Sequence, residues 1–212
     1  MDTSLRITRQ GQRSSGSGIC KRELSETGSR GKDYGKMIFE EKRVNTKKVY
    51  NGAILNVRQD TVTAPKGHAY REIVEHNGAV AAVVLTDDGK IVMVRQYRYA
   101  CGRVVLEVPA GKIDRGETDP EAAMIRELKE ETGYTAGSIT YLGSINPSVG
   151  YSEEVIRLYL MKDLTPGETS PDDDEALEIV LMPFDEVYRM AAEGELTDAK
   201  TIAALFMAKQ KL

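Results

Sequence analysis

The sequence predicts an α+β sandwich, and three observations carry the prediction. Short β-rich runs, each broken by Gly, Asn or Pro, fill the stretch from residue 48 to 108. One sharply bounded helix follows at residues 120–132, and further strands then give way to two helices at the end of the chain. Many short strands mixed with few helices describe layers of helix on sheet rather than a bundle or a barrel.

Residues 1–36 hold eight Lys or Arg, four Asp or Glu, six Gly and six Ser. Such a stretch cannot bury enough apolar surface to offset the entropy of ordering, so it reads as a disordered basic extension. Residues 49–50, 53–62 and 69–74 form short antiparallel strands within a region 37–76 that precedes the main body at 77–212. Residues 79–86 and 90–99 are rich in Val, Ile and Tyr around Asp87-Asp88-Gly89 and predict a hairpin. Residues 104–108 make another strand, ended by Pro109-Ala110-Gly111. The helix at 120–132 has Asp119 to cap it, Pro120 at its first position and Gly133 to stop it. Strands return at 138–145, 155–162 and 177–182, with an acidic run at 171–175 between the last two. Helices close the chain at 185–193 and 198–209.

The chain has 212 residues with 29 Lys+Arg against 33 Asp+Glu, a net charge of −4, and 41% hydrophobic residues, enough for one domain with a core. From Met37 onward the net charge is −8, which argues against a nucleic-acid or membrane-surface binder. Cys20 and Cys101 have neither zinc nor dithiol spacing, so a reducing compartment is expected. No run approaches the roughly 20 apolar residues of a membrane span or the roughly 7 to 15 of a signal peptide, so the expected location is cytoplasmic.

The chemistry concentrates in Gly111 to Tyr134. Glu127, Glu130 and Glu131 are spaced i, i+3 and i+4 and share a helix face, while Ile125, Leu128 and Thr132 point away toward a core. Like charges on one stripe repel, and a bound cation removes that repulsion. Carboxylates are hard ligands that suit Mg²⁺ or Mn²⁺, and Mg²⁺ completes its shell with water and substrate phosphate. A solvated face balanced by Arg126 and Lys129 is the plain alternative for an isolated triplet of acids. The strand ending Glu107-Val108-Pro109-Ala110-Gly111 and the loop with Gly116-Glu117 make the pattern more restrictive than that.

This pattern resembles the box of the Nudix hydrolases, matched by Gly111, Glu117, Arg126, Glu127, Leu128, Glu130, Glu131 and Gly133. Eight residues rather than the family's seven separate Glu117 from Arg126, an insertion placed at Thr118-Asp119-Pro120, where it leaves the helix register intact. The resemblance implies an α/β/α sandwich with a mixed central sheet and hydrolysis of a nucleoside diphosphate linked to another moiety. It also implies roles: Glu127, Glu131 and the Ala110 carbonyl hold Mg²⁺, with Mn²⁺ as a substitute. Glu130 supports the cluster and Arg126 orients it.

The flanking segments 71–80, 95–99 and 106–111 resemble the ADP-ribose pyrophosphatase branch. A diphosphate needs fixed cations, for which Arg71 and Arg98 are the candidates, with Glu107 a polar contact beside the site. By the same resemblance, the loop from Ser148 to Glu154 carries a general base or an additional metal ligand, with Glu154 the closer match and Glu153 second. Val149 stands where the branch has proline, which predicts a less rigid loop able to swing over a bound substrate. His76 is read as structural and the acidic run 171–175 as a solvated loop. ADP-ribose is the expected substrate, giving AMP and ribose 5-phosphate. GDP-mannose or a UDP-sugar is the alternative, and a non-catalytic sensor comes third. The branch also implies a homodimer joined through the N-terminal strands.

Overall fold

The three N-terminal strands are longer than their apolar content suggests. In a computed structural model, which describes residues 38–170 and 176–212, they are β1 (Arg43–Asn51), β2 (Asn56–Ala64) and β3 (Gly67–Glu75). They form an antiparallel sheet in that order. Strand β1 is exposed at every position, so it carries no core-facing alternation, and only Val49-Tyr50 registered as strand in the sequence. The turn into β3 closes at Gly67, whose φ of 97° lies in the region glycine tolerates. The basic extension 1–36 and the acidic run 171–175 lie outside the described residues.

The body adds β4 (Ala79–Val84), β5 (Lys90–Arg98), β6 (Arg103–Glu107) and β7 (Ala110–Lys112). Helix α1 (Pro120–Thr132) leads to β8 (Thr135–Ile145), β9 (Ile156–Thr165) and β10 (Leu177–Pro183). Helices α2 (Phe184–Ala192) and α3 (Ala199–Lys209) close the fold. Four strands form a mixed sheet, β7-β4-β9-β8, in which β4 and β9 run parallel, and three form an antiparallel sheet, β10-β5-β6.

The expected hairpin of 79–86 with 90–99 is corrected here. Strands β4 and β5 meet only through the Leu85–Ile91 bridge and then enter different sheets. All six residues of β4 are buried, so both of its edges need partners, and β7 and β9 occupy them. The Asp-Asp-Gly turn is local and real, but buried edge pairing decides where the strands go.

Alternation along β4 builds two cores. Ala79, Ala81 and Val83 face α2 and α3 together with Leu158, Leu160 and Leu205. Val80, Ala82 and Val84 face α1 with Met124, Leu128 and Met161. A sheet with helices on both faces is the α/β/α sandwich, and each buried Val or Leu contributes about 1.5–3 kcal/mol to holding it.

Helix α1 obeys its end signals. Asp119 accepts hydrogen bonds from the Glu121 and Ala122 amides at 3.0 and 3.3 Å, and Gly133 ends the helix at φ 74°. A Cβ on Gly133 would also sit 2.5 Å from the Gly167 carbonyl oxygen, so both backbone conformation and close approach require glycine. Leu128 and Thr132 are buried as expected, but Ile125 is 41% exposed. The core-facing arc runs through Ala123, Met124, Leu128 and Glu131 instead. It therefore takes in one of the glutamates assigned to the opposite face.

Candidate active site

The box helix lies against β4 and β7, which brings two of its carboxylates onto one dipeptide. Glu131 is 3% exposed, and its Oε2 accepts a hydrogen bond from the Ala110 amide at 3.1 Å. Glu127 lies beside the next residue: a Cβ built on Gly111 would overlap its carboxyl group. The absence of a side chain at 111 is therefore what makes room for Glu127 against β7. Glu130 sits at the rim with 39% of its side chain exposed, Glu127 is half-buried and only Glu131 is fully buried. Among the described residues, no three His, Cys, Asp or Glu side chains form a ready-made metal cage. What converges is two carboxylates on the Ala110–Gly111 backbone. Such an all-oxygen donor set fits a hard divalent ion that draws only one or two carboxylates from protein.

Arg126 organises the rim. Its Nη1 lies 2.9 Å from Glu127 Oε1 and 2.8 Å from Glu130 Oε2, and its Nη2 lies 3.5 Å from Glu117 Oε2. Burial disfavours its charge, but Glu127 and Glu130 outweigh that and hold the guanidinium well above its ordinary pKa. Glu117 also accepts from the Asp114 amide at 3.1 Å. Glu117 is therefore in reach of the cluster although eight residues separate it from Arg126.

Arg98 and Glu107 form a second group. Glu107 is 1% exposed and receives Arg98 through two parallel bonds, Nε to Oε1 at 2.7 Å and Nη2 to Oε2 at 2.8 Å. Lys200 Nζ donates to the same Oε2. Burial pushes the Glu107 carboxyl up, yet Arg98 and Lys200 together hold it below its ordinary range. Arg98 is raised by Glu107 first, and Glu131 adds to that, so this pair lies within electrostatic reach of the box helix. Arg98 keeps 42% of its side chain exposed while Glu107 anchors it.

The remaining candidates lie where the N-terminal sheet meets the loop 148–154. That loop is tied to β3, the Val74 amide donating to the Tyr151 carbonyl at 2.7 Å and the Glu153 amide to the Val74 carbonyl at 3.0 Å. The end of the loop is therefore paired with β3, while Val149 stands 87% exposed. Glu153 is bound to Arg58 Nη2 at 2.5 Å, and Arg58 also bonds Asp60 at 3.0 Å and Glu75 at 2.7 Å. Glu154 stands 3.7 Å from His76 Nδ1, which accepts a hydrogen bond from the Gly78 amide at 3.0 Å. Arg71 is held by Glu41 and lines a cavity of about 540 Å³ with Arg43, Arg58 and Gly150.

Sequence reasoning missed Arg58 and Lys200. The one available signal for Arg58 was Asp60 two residues on, hence on the same face of a strand. For Lys200 it was a lysine in the first turn of a helix, where the macrodipole disfavours a cation.

Comparison with known proteins agrees with this geometry. The NUDIX domain model matches residues 75–205. A methanol dehydrogenase activator of Bacillus methanolicus is 39% identical over 171 residues, 79% of this chain and 92% of that protein. An ADP-ribose pyrophosphatase of Bacillus subtilis is 37% identical over 170 residues, 79% of this chain and 91% of that protein. A crystal structure of an ADP compounds hydrolase superposes with a TM-score of 0.70 over 84% of this chain and 97% of its own, at 23% identity, and so supports the fold. The family model spans the box, its strand and both flanking cores, and the relatives match over almost their full length: the chain belongs to the Nudix family.

Proposed function

We propose that this Nudix protein hydrolyses the diphosphate of ADP-ribose, releasing AMP and ribose 5-phosphate, with Mg²⁺ or Mn²⁺ as its cofactor. The observation that carries the reading is the convergence of Glu127 and Glu131 on Ala110–Gly111. The relative named as an ADP-ribose pyrophosphatase supports the substrate. When bound, the divalent ion offsets diphosphate charge and acidifies the attacking water. Glu127, Glu131 and the Ala110 carbonyl would hold it. Arg126 keeps Glu127 and Glu130 oriented, and Arg98, squared by Glu107, meets a phosphoryl group through its exposed part. Arg71 contributes a further cation at the N-terminal sheet. Glu153 is committed to Arg58, which favours Glu154 as the group that takes the proton from water. Water oxygen bonds to one phosphorus, the bridging P–O bond breaks, and the other phosphate leaves with its electron pair.

The chain is also taken to act in the cytoplasm as a homodimer. Support for the dimer comes from β1, exposed along its length with Val44, Val49 and Tyr50 each more than half open to solvent.

The test is metal-dependent turnover of ADP-ribose, GDP-mannose and a UDP-sugar, with the released nucleotide identified. AMP from ADP-ribose at the highest kcat/KM is the expected result. A higher kcat/KM for GDP-mannose would reassign the base. The relative named as a methanol dehydrogenase activator favours a second reading, a Nudix-fold regulator of another enzyme. That reading predicts no nucleotide release from any of the three.

A further inference from the structure

The first turn of α3 is wired to the strand that leads into the metal-binding backbone. Asp198 caps α3 and its Oδ2 accepts from Thr201 N at 3.0 Å, Thr201 Oγ1 at 2.6 Å and Lys200 Nζ at 3.0 Å. Lys200 Nζ continues to Glu107, and Thr201 Oγ1 accepts from the Val108 amide at 2.9 Å. Glu107 is the last residue of β6 and Val108 follows it, two positions before Ala110. Every link is sheltered: the Lys200 side chain is 12% exposed, that of Glu107 2%, and Thr201 is fully buried.

A lysine at the second position of a helix opposes the macrodipole, and a buried ammonium loses hydration. Helix stability therefore gives no reason for Lys200 to be there. Its partner does, because Glu107 spends both oxygens on Arg98 and one of them again on Lys200. Without Lys200, a carboxylate buried beside the sheet would be balanced by a half-exposed arginine alone, and Arg98 would be drawn inward to compensate.

Building on the function proposed above, we infer that Asp198, Lys200 and Thr201 form a positioning brace. Lys200 sets Arg98 through Glu107, and Thr201 sets the Ala110–Gly111 backbone through Val108. None of the three touches the substrate.

The experiment compares Lys200→Met, Lys200→Arg and Thr201→Val, the first also in an Arg98→Ala background. It reads KM and kcat for ADP-ribose, Mn²⁺ affinity by titration, and Tm. Lys200→Met should raise KM about ten-fold, the scale of losing one oriented charged contact, with kcat nearly unchanged. Lys200→Arg should restore most of it, and in Arg98→Ala the Lys200→Met change should add nothing. Thr201→Val should weaken Mn²⁺ binding by about ten-fold, the lower end of the range seen when the support of a ligand is removed. Additive effects of Arg98→Ala and Lys200→Met would overturn the Arg98 route. Unchanged Mn²⁺ affinity in a folded Thr201→Val protein would overturn the backbone route. Failure of wild type to release AMP would count against the proposed substrate, whereas the Mn²⁺ titration needs no turnover and judges the Thr201 route by itself.

Discussion

Gly111→Ala separates the position of a carboxylate from its presence. A methyl group at residue 111 would overlap all three heavy atoms of the Glu127 carboxyl group. Non-bonded carbons settle at about 3.5–4.0 Å, so the carboxylate must retreat by more than ~1 Å. Gly111 is not in the left-handed region, so the alanine itself adds no backbone strain. The Glu127 carboxyl is the far end of a flexible side chain that can turn aside for about 0.5–1.5 kcal/mol, which lowers Tm by roughly 1–6 °C in a domain of this size. Catalysis should suffer far more, because a misplacement of about 1 Å costs on the order of 100-fold in rate. The assay is kcat across a Mg²⁺ titration beside thermal unfolding, with Glu127→Gln in parallel. Both variants should lose about two orders of magnitude in kcat while remaining folded. A folded Gly111→Ala protein with near wild-type kcat at saturating Mg²⁺ would show that Glu127 does not act from its place beside β7.

Arg58→Met should strand Asp60, Glu75 and Glu153 without their shared cation and lower stability by on the order of 2 kcal/mol, read by denaturant unfolding; unchanged stability would mean the cluster is solvated. Glu107 is held below its ordinary value of 4.5, so its contribution to stability is full above that pH and is lost as pH falls through its lower folded pKa. Tm measured against pH should therefore show this loss only in acid, and Lys200→Met should move it to higher pH because one of the two cations that oppose burial is then gone. If the N-terminal sheet serves a dimer, mixing Arg71→Ala with Glu131→Gln subunits should restore part of the activity, since one composite site carries neither lesion. Activity that stays at the level of the separate variants in a verified hybrid would place both residues of a site on one chain.

What could be read from the sequence was what local signals encode. Asp119, Pro120 and Gly133 bound α1 where expected because caps act within one turn. The strands at 155–162 and 177–182 were legible from β-branched runs. Long-range pairing was not legible. The two runs flanking Asp87-Asp88-Gly89 look like a hairpin, and only the burial of β4 on both edges sends them into separate sheets. Strand β7 escaped notice because its three residues follow a proline and include a glycine. The partners of Arg58 and Glu107 escaped for the same reason: Glu153 lies 95 residues from Arg58, and Lys200 lies 93 from Glu107. No periodicity joins groups so far apart, and only the folded sheet order brings them together.

The most direct test of the central claim is Mn²⁺ binding measured by electron paramagnetic resonance on the wild-type chain, Glu127→Gln, Glu131→Gln and the double variant. Two carboxylates on one dipeptide should hold the ion in the wild type, weaken by at least about ten-fold in each single variant, and lose it in the double. Undiminished Mn²⁺ affinity in a folded double variant would contradict the account.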